Sequence, residues 1–167
     1  QQGISLDTNY SSAPYQLPGS DVVTNVGGGC GVCNLREATK HSLNTSFLRL
    51  QEDLKNGTQD TADMAHALGV AKSLPGIEKT LTENGKQPFE GIVLGQYQSR
   101  PLDMATAMST LANQGVWHNP HFVQRVENAA GEVLYEHPED EGERRVSSNV
   151  ANNVIEAMEP VAAWSNG

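Results

Sequence analysis

The chain has 167 residues, with 11 basic and 20 acidic side chains and a formal net charge of −9. That balance argues against a protein that neutralises nucleic-acid phosphates, which needs clustered lysine and arginine. Its longest apolar runs are a few residues, far short of the roughly 20 that a membrane helix requires. The 16 glycines and 8 prolines are close to ordinary usage, which excludes a collagen-like or low-complexity chain.

Residues 1–29 are turn-rich, with Ala13-Pro14, Leu17-Pro18-Gly19-Ser20 and Gly27-Gly28-Gly29 around strand-like pieces such as Asp21-Val22-Val23-Thr24. Asn34 followed by Glu37 fits a capping box that opens a helix. Leu43, Phe47, Leu50 and Leu54 then share one helical face, and Asn56-Gly57 ends it. Ser42 and Asn44 interrupt the segment, since both prefer caps and turns, so two helices are expected to meet there. Asp60 is the expected cap of the next helix, which carries Met64, Ala65 and Leu68 and stops at Gly69. Residues 73–98 read as loops around the apolar piece Gly91–Gly95. Ser99 and Pro101 open another helix, with a buried stripe expected at Leu102, Ala105, Met108 and Ala112 and an end at Gly115. A hairpin follows, 122–127 and 132–136 around Asn128–Gly131, then an acidic loop. The last helix starts at Ser147 or Ser148, carries Val150, Val154, Met158 and Val161 on one face, and should bend or end at Pro160.

Cys30-Gly31-Val32-Cys33 admits a structural disulfide, a redox disulfide or half of a zinc site. The structural disulfide is favoured, because three glycines before Cys30 make a poor strand for a thioredoxin-type motif. His66, His118, His121 and His137 are the side chains that would have to complete a zinc site. The glycine cluster is no nucleotide loop. Counted from Gly27 or Gly29, the third glycine of a dinucleotide fingerprint falls on Val32 or Asn34. Adjacent carboxylates such as Glu52-Asp53 and Glu139-Asp140-Glu141 read as solvated faces.

Ser42-Leu43-Asn44 gains its meaning from its setting, Leu35-Arg36-Glu37-Ala38-Thr39-Lys40-His41-Ser42-Leu43-Asn44-Thr45-Ser46-Phe47. This stretch resembles the second active-site motif, S-x-N, of class A penicillin-binding proteins. Further pieces resemble that family in the same order: Ala67-Leu68-Gly69-Val70, Gly95 to Ala105 with its Arg100-Pro101-Leu102-Asp103-Met104-Ala105, Leu111-Ala112-Asn113-Gln114-Gly115 with Asn119-Pro120, and Val126 to Leu134. The resemblance runs from about Gly3 to Gly167, and the cysteine-bearing loop is most similar to enzymes of high-GC Gram-positive bacteria.

The resemblance implies an α+β fold: the mainly helical segment of the penicillin-binding protein and serine β-lactamase-like transpeptidase fold, with a late β-hairpin. It implies a peptidoglycan D,D-transpeptidase, in which a serine takes the acyl group of a D-Ala-D-Ala stem peptide and an amine of a second stem peptide releases it. The chemistry uses S-x-x-K, S-x-N and K-T-G clusters. No serine here has lysine three residues later, and Lys79-Thr80 is followed by Leu81. Residues 1–167 are therefore expected to be a partial transpeptidase domain, lying between the nucleophile helix and the K-T-G strand and inactive alone. By resemblance Ser42 is the catalytic proton relay and Asn44 binds the substrate backbone. Both would face one cleft from an extended loop, where alternate side chains point the same way. The competing reading is that they only cap the helix beginning near Thr45.

No cofactor or metal is implied. The implied partners are stem peptides and β-lactams, met through the complete domain, and the remaining parts of the parent chain. Neither nucleic acid nor membrane contact is expected of this segment, and the implied location is the extracytoplasmic face of a bacterial membrane. Two other classes remain open on the residues alone: a non-catalytic helical binding or structural domain, and a thiol–disulfide module at Cys30 and Cys33.

Overall fold

Asn34 opens the helical part of the chain as its spacing predicts: its side chain accepts the Glu37 amide at 3.0 Å and caps α1 (Leu35–Lys40). The reciprocal half of the capping box is absent, because the Glu37 carboxylate turns outward to His41 at 3.1 Å and Lys40 at 3.9 Å. The computed structural model describes residues 2–166. Ahead of α1 come β1 (Asn9–Ser11), β2 (Tyr15–Gln16), β3 (Val22–Val23) and β4 (Val32–Asn34). After it come α2 (Asn44–Glu52), α3 (Thr58–Leu68), a 3₁₀ turn (Glu90–Leu94) and α4 (Pro101–Ala112). The chain continues with β5 (Val116–Trp117), β6 (Arg125–Glu127), β7 (Val133–Glu136), β8 (Glu143–Arg144) and α5 (Ser148–Asn166). The strands form antiparallel pairs β1–β4, β2–β3, β5–β8 and β6–β7. This is the mixed α+β organisation expected.

Burial explains how these elements hold α2. Leu43, Thr45, Ser46 and Leu48 are fully buried where α2 meets β1, α1 and the 3₁₀ turn. Gln51 is buried too, yet satisfied: its amide donates to the Glu90 carbonyl at 2.9 Å and accepts the Thr61 hydroxyl at 2.8 Å. Arg49 reaches back to the carbonyls of Ser11, Ala13 and Pro14 at 3.0–3.2 Å, pinning the segment after β1 onto α2. Tyr10 donates to Asp53 at 2.8 Å, and Tyr15 donates to Glu52. Burial first, then these carboxylate partners, push both phenols up to about 12. A second apolar cluster of Ala62, Val70, Leu81 and Ile92 joins α3 to the loop region and the 3₁₀ turn.

Several expected details are corrected. Helix α3 starts at Thr58 with Gly57 at the cap position, where φ is +54°. Asp60 folds back onto Asn56 instead, accepting its backbone amide at 2.8 Å and its side-chain amide at 3.0 Å. Arg100, not Ser99, precedes α4, and its backbone amide is capped by Asp103 at 3.2 Å. The stripe expected inside α4 is mostly outside. Ala105, Met108 and Ala112 are exposed, whereas Asp103, Thr106, Ala107, Thr110 and Leu111 are buried. The buried threonines are satisfied within the fold: Thr106 donates to Leu102 at 2.8 Å, and Thr110 reaches the carbonyls of Leu68 and Thr106 at 2.8 and 2.9 Å. Asp103 is held by Arg100 at 2.7 Å, and that guanidinium, with backbone amides, keeps its carboxyl below the usual carboxylate range. Pro160 does not end α5, which continues to Asn166; a proline removes one N–H from the ladder, and a long helix retains the rest.

Candidate active site

The junction of α1 and α2 is a Schellman turn. The Ser42 amide donates to Thr39 at 3.0 Å and the Leu43 amide to Ala38 at 2.9 Å. Such a turn needs a left-handed residue just past the helix, a place where glycine is usual. Here Ser42 occupies it with φ +52°. A side chain in that region costs about 1–3 kcal/mol. Leu43, the residue after, is anchored at 2% exposure, which locks the turn in place.

The Ser42 side chain is exposed, and no hydrogen bond ties its hydroxyl to another described residue. Asn44, half-buried, donates its amide to the Thr24 carbonyl at 3.4 Å. Both line one open cleft of about 330 Å³ with Thr39, Leu43, Phe47, Val93 and Leu94. Ser42 and Asn44 thus share one cleft as expected, but by a different route. The loop is not extended: Ser42 is left-handed and Asn44 is already the first residue of α2.

Neither motif side chain caps α2. The cap position is Leu43, which has no side-chain acceptor, and the Thr45 amide is taken by Asn25 Oδ1 at 3.0 Å. The sequence reading did not single out Asn25, or the apolar wall of Phe47, Val93 and Leu94. A lone Asn before a glycine run is an ordinary turn signal, and nothing local connects it to a helix twenty residues on.

A larger groove of about 590 Å³ lies behind Phe47 and Val93, which line both hollows, and its floor is set by Leu35, Leu50, Leu54 and Met64. Cys30 and Cys33 form a disulfide in the loop that leads into β4, where Cys33 pairs with Tyr10. The histidines weighed for zinc have other partners. His66 faces the Val70 carbonyl at 2.9 Å, His118 faces Asp140 at 3.6 Å, and His121 and His137 stack with centroids 3.7 Å apart. Among the described residues no three His, Cys, Asp or Glu side chains are grouped to hold a metal ion, and no helix is long and apolar enough to cross a membrane.

The family model of the penicillin binding protein transpeptidase domain matches residues 1–167. Penicillin-binding protein 1A of Mycolicibacterium smegmatis is 52% identical over 170 residues, which cover 100% of this chain and 22% of that relative. The structure of PonA1 from Mycobacterium tuberculosis matches with a TM-score of 0.92 and 49% identity, covering 99% of this chain and 44% of that one. PonA1 in complex with penicillin V matches at a TM-score of 0.90, with the same identity and coverage. The chain spans 21–22% of the length of the mycobacterial penicillin-binding protein 1A relatives. Agreement in sequence and in shape extends over the whole chain, and the chain belongs to the transpeptidase domain family of the penicillin-binding proteins, with class A relatives from high-GC Gram-positive bacteria.

Proposed function

We propose that this chain supplies the middle part of a peptidoglycan D,D-transpeptidase active site, with Ser42 as proton relay and Asn44 as the contact to the substrate backbone. The observation that carries this reading is the strained turn: Ser42 holds a left-handed position better suited to glycine and spends its hydroxyl on no internal bond, while Asn44 lines the same cleft. Backbone strain at an exposed polar residue that lines a cleft is frequent at functional sites.

In the proposed mechanism a serine from outside residues 1–167 attacks the carbonyl before the terminal D-alanine of a stem peptide. Its proton passes to a neighbouring lysine, and the Ser42 hydroxyl relays a proton to the departing amine as the C–N bond breaks. The acyl-serine is then released by the amine of a second stem peptide, which forms the new amide. Asn44 offers an amide oxygen and N–H to the peptide backbone of the acyl donor, which aligns the carbonyl with the nucleophile. A β-lactam enters the same path and stops at the acyl-enzyme. The apolar groove behind Phe47 gives a nucleophile-bearing segment a surface to pack on. With no Ser-x-x-Lys and no Lys-Thr-Gly of its own, the chain alone is inactive, and in its parent it works on the outer face of the bacterial membrane.

The test is penicillin labelling of the full-length protein, read by intact mass and peptide mapping. The expected adduct is one opened β-lactam on a serine outside residues 1–167, formed about 100-fold more slowly in Ser42→Ala. A stable adduct on the isolated chain, or wild-type labelling by Ser42→Ala, overturns the assignment.

A further inference from the structure

We infer that Asn25 is a positioning residue for the Ser42–Asn44 motif: it caps α2 from a separate loop and so fixes the turn that presents both side chains to the cleft. The inference rests on the transpeptidase reading of that motif.

Helix α2 begins with an unmet need. The first amides of a helix lack partners within it, and in α2 two of them belong to the fully buried Thr45 and Ser46. Leu43 at the cap position cannot accept them. The short polar side chains nearest in sequence are Ser42 and Asn44, whose residue types are favoured caps. If either served α2, it would turn away from the cleft. Asn25 removes that competition. Its Oδ1 accepts the Thr45 amide at 3.0 Å, and its amide nitrogen donates to the Ser12 carbonyl at 2.8 Å. Thr45 Oγ1 sits 3.0–3.2 Å from both ends of the Asn25 amide. One residue earlier, the Thr24 carbonyl accepts the Asn44 side chain. Two consecutive loop residues, Thr24 and Asn25, therefore hold the motif's Asn44 and the Thr45 that follows it.

The loop is itself anchored, so Asn25 acts from a fixed point. The Ser12 amide and hydroxyl both donate to the Gly31 carbonyl, at 2.8 and 3.2 Å. Gly29 lies so close to Ser12 that a Cβ there would come within 2.5 Å of its hydroxyl. The Cys30–Cys33 disulfide and the Tyr10–Cys33 pairing close the far side.

The test is a double-mutant cycle in the full-length protein, with second-order rates of acylation by a fluorescent penicillin and thermal midpoints measured side by side. Asn25→Ala is expected to acylate about tenfold more slowly. Asn25→Asp, which keeps an oxygen facing the Thr45 amide but loses the donor to the Ser12 carbonyl, is expected to recover only part of that loss. Tyr10→Phe, which loses a bond at the other end of α2, should lower the midpoint and leave the rate unchanged. In an Asn44→Ala background the effect of Asn25→Ala should shrink to within about threefold, because coupled residues are not additive. Wild-type acylation by Asn25→Ala overturns the inference, as does a tenfold effect that persists undiminished in Asn44→Ala. Wild-type acylation by Asn44→Ala alone would instead remove the transpeptidase reading of the motif on which the inference stands.

Discussion

Two of the turns that pass through a left-handed residue are built from different resources. In the β6–β7 hairpin the residue is Gly131, φ +81°. Everything it needs is next to it: Asn128 Oδ1 accepts the amides of Ala130 and Glu132 at 2.9 and 3.0 Å, and Arg125 bridges Glu127 and Glu136 across the strands. Between α1 and α2 the residue is Ser42, and the support comes from afar, through Asn25 and Thr24. The hairpin turn is relaxed and self-sufficient. The helix junction holds a residue its geometry disfavours, with help from a loop stapled by a disulfide. On the proposed reading, the hairpin turn serves stability alone and the helix junction displays a side chain.

Substituting each left-handed residue sharpens that contrast. The largest effect is expected for Ser42→Gly, which supplies the preferred residue of a Schellman turn and deletes the hydroxyl. Acylation of the full-length protein should fall about 100-fold while the urea midpoint stays level or rises by the equivalent of about 1 kcal/mol. A slow variant that is also unstable would show that the serine serves the fold. The next effect is expected at the start of α4, where a buried carboxylate caps the helix locally. Asp103→Asn should cost about 2 kcal/mol in chemical denaturation. Because Asp103 is held below its unfolded carboxyl value by Arg100, its contribution is complete above about pH 4 and lost as pH falls through the folded value. The stability of Asp103→Asn should therefore decline less steeply in acid than that of the wild type. The smallest effect is expected for Gly131→Ala, about 1 kcal/mol for a side chain at positive φ, with acylation unchanged. A loss of acylation there would break the comparison, by tying the hairpin to the cleft.

The same contrast explains what could be read in the sequence. Asn34, Gly69 and Asn128–Gly131 act on residues within a few positions of themselves, so their roles were legible, as was the break at Ser42. The family could be read because several weak motifs fall in one order over the whole chain. Asn25 was missed because its partners Ser12 and Thr45 are 13 and 20 residues away and its own surroundings are an unremarkable turn. The interior of α4 was misplaced for another reason. Thr106 and Thr110 score as polar, yet their hydroxyls are absorbed by the carbonyls of Leu102, Thr106 and Leu68, which lets them go inside and turns the methionine side out. Hydrophobic periodicity counts side-chain type and is blind to bonds a hydroxyl makes with its own helix.

That inverted helix carries its own chemical reporter. Met104 and Met108 stand on one side of α4 at 46% and 44% exposure, a turn apart. Peroxide converts accessible thioethers to sulfoxides, each adding one oxygen that a mass spectrometer can place. Threonines on the inner side do not react. Oxidation at these two sulfurs thus reads the cover over one face of α4 directly: rapid where solvent reaches it, slow where another surface lies against it, and reversible by sulfoxide reductases.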